Sequence, residues 1–284
     1  MMRDPIALCL LGLVGILAGC GERTRTAPPP AAAKGASQTR LDGSPASSER
    51  TRLTVAAAAD LRFVLAELLT KFHEAHPSVT AEVTYGSSGR LYAQVENGAP
   101  FDIFLSADIQ FPSQLGEGGQ ADPTSVFPYA VGHLVIWVPN TSDLNVEKLG
   151  MRAVLDERVK KVAIANPKVA PYGRAAEAAM KHLGVYEAAK EKLVLGENVS
   201  QAAQFVESGG ADVGIIALSL AMAPSMQGKG RFRPVPADAY PQLLQGGVIL
   251  NAGRERAAAD QLRSFLTSEP ARHVYQHFGF ESPP

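Results

Sequence analysis

From residue 52 onward, apolar positions along the chain switch repeatedly between a period of two and a helical period. Val79, Ala81, Val83 and Tyr85 alternate with Thr80, Glu82 and Thr84, which predicts a strand over 79–85. Leu61, Leu65, Leu68 and Phe72 recur at helical spacing and predict a helix over 60–73. The same criteria predict strands at 53–56, 103–105, 162–164, 194–195, 213–217 and 248–250. Helices are predicted at 90–96, 111–116, 174–182, 201–207, 257–266 and around 272–277. Residues 130–138, ending Leu134-Val135-Ile136-Trp137-Val138, are apolar almost without interruption, as in a strand covered on both faces. This run is the expected crossing point between two lobes, with Trp137 in the core. The alternation predicts an α/β fold of mainly parallel sheets flanked by helices, with a ligand between lobes at the carboxyl ends of the strands. No repeat of 20 to 50 residues is present.

Four turns, each joining a strand-like segment to a helix-like one, share a chemistry. They are Ala58-Ala59-Asp60, Gly86-Ser87-Ser88-Gly89, Ala170-Pro171-Tyr172-Gly173 and Glu197-Asn198-Val199-Ser200. The first amides of a helix have no intrahelical partner, and the helix dipole favours negative charge there. Gly86 and Gly89 allow close backbone approach, and Ser87/Ser88, Tyr172 and Ser200 add neutral hydroxyls. A Ser before a helix is equally well placed to be a simple cap. Two turns fall in each half, so both lobes could grip one small anion. A fully deprotonated tetrahedral oxyanion only accepts hydrogen bonds, so neutral donors suffice and Lys or Arg is not required.

Composition narrows the classes. The 284 residues carry a net charge of -1 with no long block of either sign, which indicates neither a nucleic-acid surface nor a polybasic membrane patch. Arg3 precedes an apolar run over 6–18 of signal-peptide length, ending Leu17-Ala18-Gly19-Cys20. That ending resembles the lipobox of bacterial lipoproteins, which implies lipidation at Cys20 and residues 1–20 as a signal. Cys9 would leave with the signal, so the folded part would hold no thiol, disulfide or Cys-based metal site. Residues 21–50, with Pro28-Pro29-Pro30 and a Ser-rich stretch, read as a disordered tether.

The order of motifs resembles a known family. Gly86-Ser87-Ser88-Gly89 with Leu91-Tyr92-Ala93-Gln94, Asn97-Gly98-Ala99-Pro100 and Ser106-Ala107-Asp108 is similar to periplasmic molybdate-binding proteins of ABC importers. So are Tyr129-Ala130-Val131-Gly132-His133-Leu134-Val135, 165–173 and Gly210-Ala211-Asp212-Val213-Gly214. The resemblance spans about 52–280. It implies a two-lobe periplasmic-binding-protein fold of type II that closes on its ligand, with 51–130 in lobe 1, 131–240 in lobe 2 and 241–284 returning to lobe 1. It implies no enzyme and no cofactor, a molybdate or tungstate ligand, an ABC permease as partner, a monomer, and no metal held except within the oxyanion. By position, the contacts would come from Ala59, Asp60, Ser87, Ser88, Tyr172 and Val199.

Asp60 departs from the family pattern, which often places Ser or Asn there. The favoured expectation is a helix cap whose side chain turns back while its amide faces the site. Two alternatives stay open: an acceptor for a protonated oxyanion such as hydrogen phosphate, or a carboxyl held protonated by burial. Other candidates carry less. His73-Glu74-Ala75-His76 is one residue short of a zinc motif and precedes Pro77, so capping is expected; His273 and His277 lack a third ligand. A secreted hydrolase using Ser87 or Ser88 lacks a nucleophile elbow and an assignable base.

Overall fold

The computed structural model describes residues 51–284, which lie in one compact unit. The expected signal segment, Cys20 and the tether lie outside the described residues. The chain opens with β1 (Thr51–Ala58), α1 (Arg62–Ala75), β2 (Val79–Gly86), α2 (Ser88–Glu96), β3 (Ile103–Ser106), α3 (Gln110–Glu117) and β4 (Phe127–Gly132). It continues through β5 (Leu134–Pro139), α4 (Val146–Leu149), β6 (Val162–Ala165), α5 (Pro171–His182), α6 (Tyr186–Ala189) and β7 (Leu193–Gly196). Then come α7 (Val199–Glu207), β8 (Val213–Ala217), α8 (Leu218–Ala221) and β9 (Gly230–Pro234). It ends with β10 (Leu243–Ile249), α9 (Arg256–Leu266) and α10 (Glu269–His277).

Two five-stranded sheets result, ordered β2-β1-β3-β10-β4 and β7-β6-β8-β5-β9. In each, the fourth strand pairs antiparallel with both neighbours, and the other four point one way. The sheets are therefore mixed. The reversed strand in each is the one the chain enters from the other sheet: β5 directly after β4, and β10 after β9. The apolar run over 130–138 is two strands rather than one. β4 ends at Gly132 in the first sheet, His133 intervenes, and β5 begins at Leu134 in the second.

The predicted helical stripe forms the floor of the first lobe. Leu61, Leu65, Leu68 and Phe72 are all buried, each contributing on the order of 1.5–3 kcal/mol relative to exposure. Trp137 is buried in the core of the second lobe, as expected. His73 Nδ1 lies 3.0 Å from the Val79 carbonyl, and the His76 ring packs 4.7 Å from Phe72, so this histidine pair finishes its helix. Among the described residues no group of three His, Cys, Asp or Glu could hold a metal ion.

Candidate anion-binding cleft

All four turns converge on one small cleft between the sheets. It is lined by Ala58, Ala59 and Asp60 after β1, by Gly86, Ser87 and Ser88 after β2, and by Ala107 after β3. The other lobe supplies Ala170, Pro171 and Tyr172 at the start of α5, with Asn198 and Val199 at the start of α7. All six expected contact residues are thus brought together. The cavity volume is only about 10 Å³, far below the ~300 Å³ at which pockets begin to suit drug-sized ligands. Among the described residues, no Lys, Arg or His lines it. Ser200, expected to add a hydroxyl, is the second residue of α7 and is not in the lining.

Each turn presents donors for a definite reason. Ser87 occupies the cap position of α2 (φ -72°, ψ 142°) but makes no side-chain cap bond. Its hydroxyl is buried and has no hydrogen-bond partner among the described residues. Ser88, the first residue of α2, accepts the Ala107 amide on Oγ at 3.0 Å, which leaves its hydroxyl proton to donate. Tyr172 and Val199 sit in the first turns of α5 and α7, where backbone amides lack intrahelical partners. Asn198 caps α7 by accepting the Gln201 amide at 3.0 Å, fixing Val199 at the cleft.

Asp60 corrects an expectation. It is not a cap: α1 is preceded by Leu61, and no side-chain cap bond forms there. The carboxyl is 1% exposed, and its Oδ2 accepts Gln245 Nε2 at 2.5 Å while Oδ1 has no partner among the described residues. Burial raises its pKa to about 6, against hydrogen bonds from Gln245 and Tyr172 that favour the ionised form. Gln245 also lies 3.2 Å from the Tyr172 hydroxyl and 3.0 Å from that of Tyr129, which lies 2.9 Å from the Ser106 carbonyl. This chain of polar groups crosses between lobes at the point where β4 hands over to β5. Gly132 is confined there, since a Cβ would fall 2.2 Å from the Tyr172 hydroxyl. Sequence reasoning missed Gln245 and Ala107. A signal existed for Gln245 in its place, fully buried, within the otherwise apolar strand β10.

The lobes touch across the cleft. Gly89 donates its amide to Val169 O at 2.9 Å, and Ser219 Oγ donates to Asp60 O at 2.9 Å. Arg174 pairs with Asp108 at 2.6 Å, and Arg90 pairs with Glu197.

Compared with known proteins, residues 53–281 match the family model of bacterial extracellular solute-binding proteins. The molybdate-binding protein ModA of Rhodobacter capsulatus is 41% identical over 201 residues, covering 71% of this chain and 77% of that protein. The chain belongs to the molybdate-binding protein family. A second member of that family, ModA of Azotobacter vinelandii, is 36% identical over 236 residues, or 82% of this chain and 91% of its own. The solved structure of the Azotobacter vinelandii periplasmic molybdate-binding protein superposes with a TM-score of 0.75 at 33% identity, covering 82% of this chain and 100% of that one. The two-lobe periplasmic-binding-protein architecture of the family is thus the architecture of this chain.

Proposed function

We propose that this chain captures molybdate or tungstate in the interlobe cleft and delivers it to the permease of an ABC importer, through contacts from Ala59, Asp60, Ser87, Ser88, Tyr172 and Val199. The observation that carries the reading is the buried, unpartnered Ser87 hydroxyl among helix-start amides in a cleft without cationic side chains. A tetrahedral dianion offers only acceptors, and each hydrogen bond to it contributes about 1.5–3 kcal/mol. Contacts from both lobes exist only when the lobes meet, so the anion shifts the population towards closure. The smaller sulfate leaves donors unmatched.

Asp60 is the exception among these neutral donors. An ionised carboxylate about 4 Å from a dianion would be opposed by about 8 kcal/mol at an effective dielectric of 20. Protonating an ordinary carboxyl at pH 7 costs only about 4 kcal/mol.

Thermal melting of the full-length protein with an oxyanion panel tests the assignment. Molybdate and tungstate at a hundred times Kd are expected to add about 2.7 kcal/mol of stability, with sulfate and phosphate at the same concentration adding far less. Sulfate or phosphate bound as tightly as molybdate would overturn the selectivity. Gly89→Ala is expected to hinder closure, because its Cβ would meet Val169 O at 2.7 Å. Small-angle scattering with saturating molybdate should then report a larger radius of gyration than for the parent protein.

The same reading places the protein on the periplasmic side of the envelope as a monomer, tethered by lipid on Cys20. The Leu17-Ala18-Gly19-Cys20 match supports the anchor. Metabolic labelling with a fatty acid should mark the parent and not Cys20→Ser; equal labelling of both would remove the anchor from the account.

A further inference from the structure

We infer that Asp60 meets the oxyanion as a neutral carboxylic acid whose Oδ1 donates a hydrogen bond to an anion oxygen, so that each anion captured draws one proton from solvent. The inference rests on the oxyanion reading of the cleft and assigns Asp60 a role beyond it: a donor that makes affinity depend on pH.

Three observations lead there. Asp60 lines the cleft, is 1% exposed, and has one carboxyl oxygen without a partner among the described residues. Its other oxygen already accepts from Gln245, so an incoming acceptor can only be met at Oδ1, and only if Oδ1 carries a proton. Among the described residues, no cationic group lines the cleft to neutralise an ionised form. The titratable groups facing it are the phenols of Tyr172 on α5 and Tyr129 on β4, both held neutral by burial with their pKa values raised further by Asp60 itself. From β10, α8 and α7 come only the neutral Gln245, Ser219 and Val199. Burial already raises the proton affinity of Asp60, and a dianion placed beside it raises it again.

The proton balance is simple. An ionised Asp60, one solvent proton and a dianion give a complex of protonated Asp60 with the dianion, and no covalent bond to the anion forms or breaks. The protein's contacts are to the oxygens of the anion, never to the metal within it. The converse arrangement, an ionised Asp60 accepting a proton carried in by hydrogen phosphate, uses the same hydrogen bond with the proton from the other partner.

Calorimetry of molybdate binding to the full-length protein in detergent, at pH 8 in two buffers of different ionisation enthalpy, separates the two. Uptake approaching one proton per molybdate is expected, with Kd weakening about tenfold per pH unit between roughly pH 7 and 8.5. Asp60→Asn keeps a donor at the same place and is expected to bind with no uptake and a flat pH profile. Molybdate binding by the parent with no proton uptake would overturn the inference and leave the functional reading intact. So would a pH slope unchanged in Asp60→Asn, whereas tighter binding of phosphate than molybdate without uptake would overturn this inference and the molybdate selectivity together. Failure of every oxyanion to bind at any pH would overturn the functional reading and this inference with it. The uptake measurement uses the parent protein alone, so it stands even if the variant folds poorly.

Discussion

In Ser87→Ala the affinity for molybdate is expected to fall about 10- to 150-fold while the ligand-free protein loses no stability. The binding loss is one hydrogen bond to a charged acceptor, about 1.5–3 kcal/mol. Stability is spared because the Ser87 hydroxyl is buried without a partner among the described residues, so removing it relieves a desolvation cost rather than breaking a bond. Ser88→Ala is the informative contrast. Its hydroxyl would be lost to the anion in the same way, but Oγ also accepts the Ala107 amide at 3.0 Å. That amide would be stranded, and the variant is expected to melt lower by the equivalent of about 1–3 kcal/mol. Calorimetric Kd values and ligand-free melting curves for both variants check the pair. Equal destabilisation of the two would mean that Ser87 is an ordinary structural cap.

The absence of cations from the cleft follows from how the nearest arginines are used. Arg90 and Arg174 flank it, yet each is paired to a carboxylate of the opposite lobe, Glu197 and Asp108. With both arginines about half exposed to water, such pairs are worth only about 0–1 kcal/mol. They meet across the closing lobes rather than facing the anion, so attraction inside the cleft rests on aligned amides and hydroxyls.

Most elements of the fold were legible because their buried faces obey a period. The helices of the site were read short at their N-termini. Apolar spacing begins at 90, 174 and 201, whereas α2, α5 and α7 begin at Ser88, Pro171 and Val199. Of the intervening residues, Ser88, Pro171, Tyr172 and Val199 line the cleft, although Tyr172 and Val199 also pack in the core, and their order follows no helical period that apolar spacing could register. The turn chemistry marked the four turns instead, and the family resemblance named the six expected contact positions within them before their helices were correctly bounded. The run over 130–138 was read as the crossing between lobes, but the break between β4 and β5 within it was illegible for the opposite reason. Both strands are buried on both faces, so the pattern runs through His133 without a break although the sheet changes. Asp60 was misplaced because its partner, Gln245, stands 185 residues away. Local sequence offered only its own turn, and a cap is what an Asp in such a turn ordinarily supplies.

Burial of the Asp60 carboxyl has a measurable cost in the ligand-free protein. Asp60→Asn is expected to be more stable than the parent at pH 7 by up to about 3 kcal/mol, and equal to it near pH 4 and below. The sign follows from proton binding. The folded pKa is about 6 against an ordinary value of 3.8. Below 3.8 the carboxyl is protonated in both states and contributes nothing. Between the two values the folded state holds more protons than the unfolded one, so stability falls as pH rises; above about 6 the deficit is constant. Two pKa units correspond to about 3 kcal/mol. Asn retains an oxygen for Gln245 and puts a neutral NH₂ where Oδ1 was, a group far less costly to bury than a charge. In a domain of this size the gap should appear as a melting difference of about 6–12 °C at pH 7 that closes on acidification. A gap independent of pH would show that the substitution acts through packing. A gap that closes as expected would show that the protein holds an unfavourable buried carboxylate in its empty cleft and relieves it with a proton when the anion arrives.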